Sequence, residues 1–195
     1  MQKMLKGIIP FAHDLLNKSV DEGEIVVDAT CGNGNDTLFL SNLVGEDGAV
    51  YAFDIQAQAI ETTEKLLQEH KRTNVTLILD SHAQIEKYLR NDGVETLGGA
   101  IFNLGYLPRS DKQIITKGDS TIAAMETLLR YIRVGARIVI VVYHGHDGGK
   151  EEKNAVLQFV RELDQTYYAA ITYQFINQRN NPPFVVAIEK RKHKN

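Results

Sequence analysis

The sequence has a single cysteine, Cys31, so it can form no intrachain disulfide and no thiolate metal cluster. It also has no apolar run near the length of about 20 residues that a helix needs to cross a bilayer. The N-terminus starts with basic residues, but Pro10, His13 and Asp14 interrupt any signal-peptide core. We therefore expect a cytoplasmic protein with no metal and no membrane contact.

An excess of positive charge is missing too. The formal net charge is -3 and the isoelectric point is near 6.1, and neither value indicates nucleic-acid binding. This counts only weakly against an RNA substrate, because a local basic patch can serve where the average is acidic. The C-terminal EKRKHKN (residues 189–195) is either such a patch or a solvated tail, and the sequence leaves both open.

Apolar, β-branched runs alternate along the chain with segments of helical period. The runs are almost continuously apolar, which is typical of parallel strands that are covered on both faces. They predict seven strands, at residues 24–30, 49–55, 75–81, 99–105, 136–145, 168–176 and 184–190. The intervening segments predict helices at 35–44, 58–72, 83–91, 120–133 and 151–163, and an amphipathic N-terminal helix precedes the first strand.

The last two predicted strands are joined by NQRNNPP, which is too short for a helical crossover. These strands should therefore be antiparallel neighbours, which two βαβαβ halves of a dinucleotide dehydrogenase would not give. We predict an α/β, Rossmann-like methyltransferase fold. It has a seven-stranded, mostly parallel sheet with an antiparallel C-terminal hairpin and helices on both faces. The 195 residues should form one domain, with residues 1–22 covering the sheet and 190–195 as the basic tail.

The loop VVDATCGNGNDT follows the first strand and opens onto a helix N-terminus at Asn35. Gly32 and Gly34 let the backbone approach a ligand, and the free N–H groups of the helix favour an anionic group. A third glycine of the dinucleotide pattern would fall at Thr37, so that fingerprint is incomplete.

Acidic and polar residues end the first three strands. Asp54, at the end of the second, can accept both hydroxyls of a ribose, or it can cap the next helix. Asp28, at the end of the first, orients the glycine loop, meets the ligand's amino group or caps the turn. Asp80, Ser81 and His82 end the third and should edge an adenine pocket, with His82 as a polar rim group.

The fourth strand ends at Asn103, and Tyr106 follows three residues later. The carboxyl end of this strand is the switch point of a doubly wound sheet, where ligands bind, so Asn103 also lies beside the cofactor. The spacing resembles the Asn-Pro-Pro-Tyr element of amino-group methyltransferases, although Leu104 and Gly105 replace the prolines. In that element the amide oxygen and a main-chain carbonyl accept hydrogens of the target nitrogen, and the ring stacks on the base. The alternative is a strand end with a packed tyrosine.

Several segments along the chain carry a family resemblance, namely DATCGNGNDT, YAFDIQ, FNLGYLP, VVYHGH, FINQ and NNPPFVVAIEK. With these segments the chain resembles a bacterial family first filed as rRNA methylases and now associated with tRNA 5-aminomethyl-2-thiouridine methyltransferase activity. The likeness runs from about Gly7 to Lys190. It implies N-methylation of the aminomethyl group at the tRNA wobble uridine, with S-adenosylmethionine as cofactor, S-adenosylhomocysteine as product, the anticodon stem-loop as partner and a homodimer as the assembly. The implied cofactor contacts are Asn33, Asn35, Asp54, Gln56, Ser81 and His82.

Two more segments flank this site. His144 and His146, with Asp147, follow the fifth strand. The histidines could contact the uracil or relay a proton, or the segment could form an exposed turn. A metal site is disfavoured because no third ligand is evident. The long loop after the fourth strand carries Arg109, Lys112 and Lys117, which could grip anticodon phosphates or be solvated. Methylation of another RNA or a small amine, and non-catalytic nucleotide or NAD binding, stay as alternative functions.

Overall fold

The computed structural model describes residues 5–105, 118–145 and 148–193. The helices are α1 (Ile8–Asn17), α2 (Asn35–Val44), α3 (Ala57–Glu69), α4 (Ile85–Asn91), α5 (Gly118–Tyr131) and α6 (Gly149–Arg161), with a 3₁₀ turn at His82–Gln84 before α4. The strands are β1 (Ile25–Asp28), β2 (Ala49–Asp54), β3 (Val75–Leu79), β4 (Leu97–Leu104), β5 (Ile132–Val142), β6 (Tyr168–Tyr173) and β7 (Phe184–Lys190). In these ranges no helix is both long and apolar enough to span a membrane.

The seven strands form one sheet in the order β3-β2-β1-β4-β5-β7-β6. The first five are parallel, and β7 runs antiparallel to both β5 and β6. The chain reverses direction along the sheet between β1 and β4, which creates the switch point where ligands bind in such sheets. The predicted fold class is confirmed.

Successive strand residues alternate between two apolar cores, as a pleated sheet covered on both faces requires. Residues such as Val26 and Ile101 face α1, α2 and α3, whereas their neighbours Val27 and Phe102 face α4, α5 and α6. The N-terminal helix α1 packs on the first face, with Ala12 and Leu16 fully buried.

Strand β5 begins earlier than its apolar run indicates, at Ile132 instead of Ala136. Ile132 pairs with Leu97, and the register then shifts so that Arg137 pairs with Gly99. The polar segment inside this irregularity includes Gly135, whose φ of 83° lies in the left-handed region that favours glycine. Apolar periodicity does not register such a bulge.

The described part of the basic C-terminus, residues 189–193, lies at the edge of the sheet opposite to the glycine loop, because β7 runs antiparallel to β5. Lys190, predicted as the first tail residue, is the last residue of β7 and is buried. Its Nζ donates to the carbonyl oxygens of Leu129 (3.1 Å) and Ile132 (2.8 Å), which stabilises the end of α5. The described remainder, Arg191 to His193, is therefore remote from the carboxyl ends of the parallel strands.

Candidate active site

The glycine loop between β1 and α2 is held from below by hydrogen bonds. Asp28 is fully buried and accepts from the Thr37 hydroxyl (2.6 Å) and the Thr30 backbone N–H (3.1 Å). Gly34 has a φ of 81°, and a side chain there would bring its Cβ to 3.0 Å from the Thr63 side chain. The loop therefore requires glycine at this position. Asn33 and Asn35, on either side of Gly34, are exposed.

Asp54 joins the glycine loop to the end of β2. Its Oδ2 accepts from the Gly32 N–H and its Oδ1 from the Gln56 N–H, both at 3.0 Å. Gln56 is the N-cap residue of α3, so Asp54 accepts from the backbone N–H of the residue at which this helix begins. Burial raises the pKa of Asp54, while the backbone N–H groups of Gln56, Gly32 and Ile55 oppose that rise. Each carboxylate oxygen keeps a lone pair that a ligand hydroxyl can use.

Two large apolar side chains are exposed beside Asp54. Ile55 is 49% exposed and Leu79, which pairs with Asp54 in the sheet, is 57% exposed. Ser81 follows, and its hydroxyl accepts from the Ala83 N–H (3.2 Å), so it caps the 3₁₀ turn. Exposed apolar surface next to a carboxylate at the carboxyl edge of the sheet suits a heterocycle joined to a sugar.

His82 lies beneath this edge and is only 6% exposed, so its prediction as a rim group is wrong. The 3₁₀ turn directs the ring inward, where it meets Phe102 edge-on with ring centroids 5.6 Å apart. Its Nδ1 donates to the Ala29 carbonyl (3.1 Å), and burial lowers its pKa, which keeps the imidazole neutral. Its Nε2 is therefore an acceptor, buried and without a hydrogen-bond partner in the described part of the chain.

Asn103, at the carboxyl end of β4, is fixed at both its backbone and its amide. Its backbone N–H donates to the Thr30 hydroxyl (2.6 Å), and its side-chain Nδ2 donates to Oδ2 of Asp36 (3.1 Å). Oδ1 of Asp36 accepts from Nε2 of His13 at 2.6 Å. The sequence analysis missed Asp36 and Thr30 as site residues and left His13 unassigned. An acidic residue two positions after Gly34, in the first turn of α2, is the signal that could have pointed to Asp36.

Leu104 and Gly105 continue β4 beyond the amide. The Leu104 side chain is fully buried in the core, and its carbonyl accepts from the Tyr143 N–H (2.9 Å). Substrate binding by Leu104 and Gly105 stays a prediction. The Leu104 side chain lies on the buried side of the sheet, among the apolar residues of the core. A Cβ at Gly105 would lie 3.4 Å from the Tyr143 Cβ, so β4 and β5 are close together here.

His144 is half-buried at the end of β5, with its ring edge-on to Phe184 at 5.7 Å between centroids. Across the described ranges, no three His, Cys, Asp or Glu side chains are grouped closely enough to hold a metal ion. The remaining predicted residues lie outside the described part of the chain, namely Tyr106, Arg109, Lys112, Lys117, His146 and Asp147.

The carboxyl groups of Asp28 and Asp36 affect each other within this site. Burial, reinforced by the neighbouring Asp36 charge, raises the pKa of Asp28 to about 7. Because this pKa is above the ordinary value of 3.8, the folded state binds a proton that the unfolded state releases. The resulting contribution to stability is complete below pH 4 and is lost as the pH rises through 7.

We predict that Asp28→Asn abolishes this dependence. In the native protein the free energy of unfolding should fall as the pH rises from about 4 to about 7, by at most about 1.4 kcal/mol per pH unit. The variant should show a flatter profile, because its amide does not titrate and the Thr37 hydroxyl can turn to accept from it. Urea unfolding at several pH values checks this. Parallel profiles for the two proteins would contradict the assignment of the pH dependence to Asp28.

Comparison with known proteins places the chain in a family. Residues 50–189 match the family model described as "Putative rRNA methylase". The chain belongs to this rRNA methylase family. It is 36% identical over 191 residues to the chloroplastic tRNA (mnm(5)s(2)U34)-methyltransferase of Arabidopsis thaliana, covering 93% of this chain and 69% of that protein.

Solved structures agree with this membership. A Clostridium thermocellum protein described as an rRNA methylase is 43% identical with a TM-score of 0.92, over 96% of this chain and 100% of that chain. A Streptococcus mutans protein described as a methyltransferase, solved in complex with S-adenosylhomocysteine, is 46% identical with a TM-score of 0.87, over 96% and 99% of the two chains. The predicted family and cofactor are confirmed: this member of the rRNA methylase family is an S-adenosylmethionine-dependent methyltransferase.

Proposed function

We propose that this rRNA methylase family member methylates the aminomethyl nitrogen of 5-aminomethyl-(2-thio)uridine at the wobble position of tRNA, giving 5-methylaminomethyl-(2-thio)uridine. The observation that carries the proposal is the Asn103 amide at the carboxyl end of β4, which is held by its Nδ2 so that its oxygen is turned away from Asp36. The Arabidopsis relative supports the substrate, because its name specifies this nucleoside and its similarity covers 93% of the chain.

The residues at the carboxyl edge fit the cofactor. Asp54 would accept the two ribose hydroxyls through the lone pairs left by Gly32 and Gln56. Ile55 and Leu79 provide exposed apolar surface for the adenine, and Nε2 of His82 is a buried acceptor that suits an amino hydrogen. The glycine loop and the exposed Asn33 and Asn35, which are predicted cofactor contacts, would hold the amino-acid end.

When bound, S-adenosylmethionine supplies a methyl group on a positively charged sulfur. In the proposed reaction the lone pair of the target amine would attack the methyl carbon. The carbon–sulfur bond would break with its electrons passing to sulfur, and the methylated nitrogen would then release a proton. An alkyl amine has an ordinary pKa near that of lysine, about 10.4, so it must first be neutral. The Asn103 oxygen, as a neutral acceptor, would orient the N–H bonds and thus aim the lone pair, which lowers the barrier by positioning.

The anticodon stem-loop as partner follows from this substrate. Several further assignments stay predictions. They are base stacking by Tyr106, phosphate contacts by Arg109, Lys112 and Lys117, a role for His144 or His146, the homodimer and the cytoplasmic location. Another RNA or a small amine stays the second candidate because the family model is named for rRNA methylation. Non-catalytic NAD binding is the least supported, since the incomplete glycine fingerprint and the family both favour methyl transfer.

Nucleoside mass spectrometry tests the proposal. Transfer RNA carrying unmethylated 5-aminomethyluridine, with and without the 2-thio group, is incubated with the protein and S-adenosylmethionine, and ribosomal RNA serves as a parallel substrate. We expect one methyl group to be added to the wobble nucleoside, and none when the cofactor is omitted. Methylation of ribosomal RNA alone would overturn the wobble-uridine proposal, and so would an unmodified tRNA when calorimetry shows that the cofactor binds.

A further inference from the structure

We infer that Asp36 is a positioning residue, which sets the orientation of the Asn103 amide and is itself held by His13 from the N-terminal helix. The inference rests on the proposed function, because it assumes that the Asn103 oxygen receives a hydrogen of the target amine. It adds two residues to the site, His13 on α1 and Asp36 in the first turn of α2.

The contacts form one continuous chain from α1 to the end of β4. Nε2 of His13 lies 2.6 Å from Oδ1 of Asp36, and Oδ2 of Asp36 lies 3.1 Å from Nδ2 of Asn103. Asp36 is only 6% exposed, so water cannot readily replace either partner. A buried carboxylate with both oxygens engaged by protein donors is a fixed group, whose geometry is set by the fold.

The chemistry of a carboxylate determines which way the amide turns. An ionised Asp36 can only accept hydrogen bonds, so it selects the Asn103 rotamer that presents the NH₂ group to it. The amide oxygen is then presented on the other side. In the reverse orientation the NH₂ group would face the target amine and donate towards the nitrogen lone pair, which would compete with attack on the methyl carbon.

His13 fixes the second oxygen of Asp36 and couples α1 to the site. Its ring stacks on Phe39 of α2, with centroids 3.9 Å apart and an interplanar angle of 1°, so Nε2 points at a defined place. An N–H donor at Oδ1 prevents the carboxylate from rotating away from Asn103. The N-terminal helix therefore does more than cover the sheet: it supports the amide through one intervening side chain.

A purely structural role for Asp36 is the competing explanation. An acidic residue in the first turn of a helix stabilises that helix by interacting with its N-terminal N–H groups. That role would lower the melting temperature on substitution, but it would not depend on what residue occupies position 103. A double-mutant cycle separates the two roles, because a residue that acts through Asn103 has nothing left to position when Asn103 is gone.

The experiment compares wild type, Asp36→Ala, Asn103→Ala and the double variant on the tRNA substrate. We expect Asp36→Ala to lower kcat by about 10-fold or more, with S-adenosylhomocysteine affinity within two-fold of wild type. In the Asn103→Ala background the same change should cost less than two-fold. Asp47→Ala is the matched control, since it removes an exposed carboxylate next to the amino end of β2 and should leave kcat unchanged.

Conservative replacements provide a second readout. His13→Gln retains an N–H donor and should keep more activity than His13→Ala, a difference that a purely packing role would not produce. Equal fold-losses from Asp36→Ala with and without Asn103 would overturn the inference, as would an Asp36→Ala enzyme with wild-type kcat. Either result leaves the proposed function intact, because that function fails only if the wild-type protein does not methylate the tRNA.

Discussion

Asp54→Ala should raise the dissociation constant of S-adenosylhomocysteine about 100-fold, because it removes the proposed acceptor of both ribose hydroxyls. Hydrogen bonds to a charged group contribute about 1.5–3 kcal/mol each, and about 2.7 kcal/mol corresponds to 100-fold in affinity. The carboxylate also ties the Gly32 N–H to the end of β2, so the substitution loosens the loop at the same time. Isothermal titration calorimetry of the cofactor product measures the change directly.

A graded series distinguishes the ribose contact from the loop contact. Asp54→Asn keeps one acceptor oxygen and should lose less affinity than Asp54→Ala. Asp47→Ala again removes a carboxylate remote from the site and should bind normally, which controls for the overall change in charge. If Asp54→Ala bound the cofactor product within three-fold of wild type, Asp54 would not be the ribose acceptor.

The fold could be predicted from the sequence because its pattern is strong and local. Continuous apolar runs between helical segments identified all seven strands, and the short NQRNNPP connection fixed the antiparallel pair. Strand ends were less accurate, as at Ile132, where pairing across a bulge extends β5 into a polar segment. Such pairing depends on the neighbouring strand, which the local pattern does not contain.

The site could be predicted only where a residue's role follows from its place on a strand end. Asp28 and Asp54 end β1 and β2, Asn103 is the penultimate residue of β4, and the structure brings all three to one edge of the sheet. The link from His13 to Asp36 spans 23 residues and depends on how α1 crosses α2. His82 was misplaced at the rim for a similar reason, since only the turn of the 3₁₀ helix directs it inward.

Asn103→Ala should reduce kcat by about 100-fold while the affinity for S-adenosylhomocysteine stays within two-fold of wild type. The amide oxygen is proposed to bind only the target amine, so its loss removes orientation of the nucleophile and leaves the ribose and adenine contacts in place. Single-turnover methylation of tRNA, together with calorimetry, separates the two quantities. A comparable loss of cofactor affinity would make Asn103 a cofactor-binding residue instead.

Asn103→Asp gives the sharper result, because it would place a second carboxylate about 3 Å from Asp36, as close as the amide nitrogen is now. Two carboxyl groups at that distance do not both ionise readily, so one keeps a proton and the pair loses its two protons in separate steps. We expect activity below that of wild type, with an added dependence on pH that Asn103→Ala does not show. Asn91→Ala, at the exposed end of α4, controls for loss of an amide elsewhere and should behave as wild type. An Asn103→Asp enzyme with full activity and an unchanged pH profile would show that the amide does not face Asp36 during the reaction.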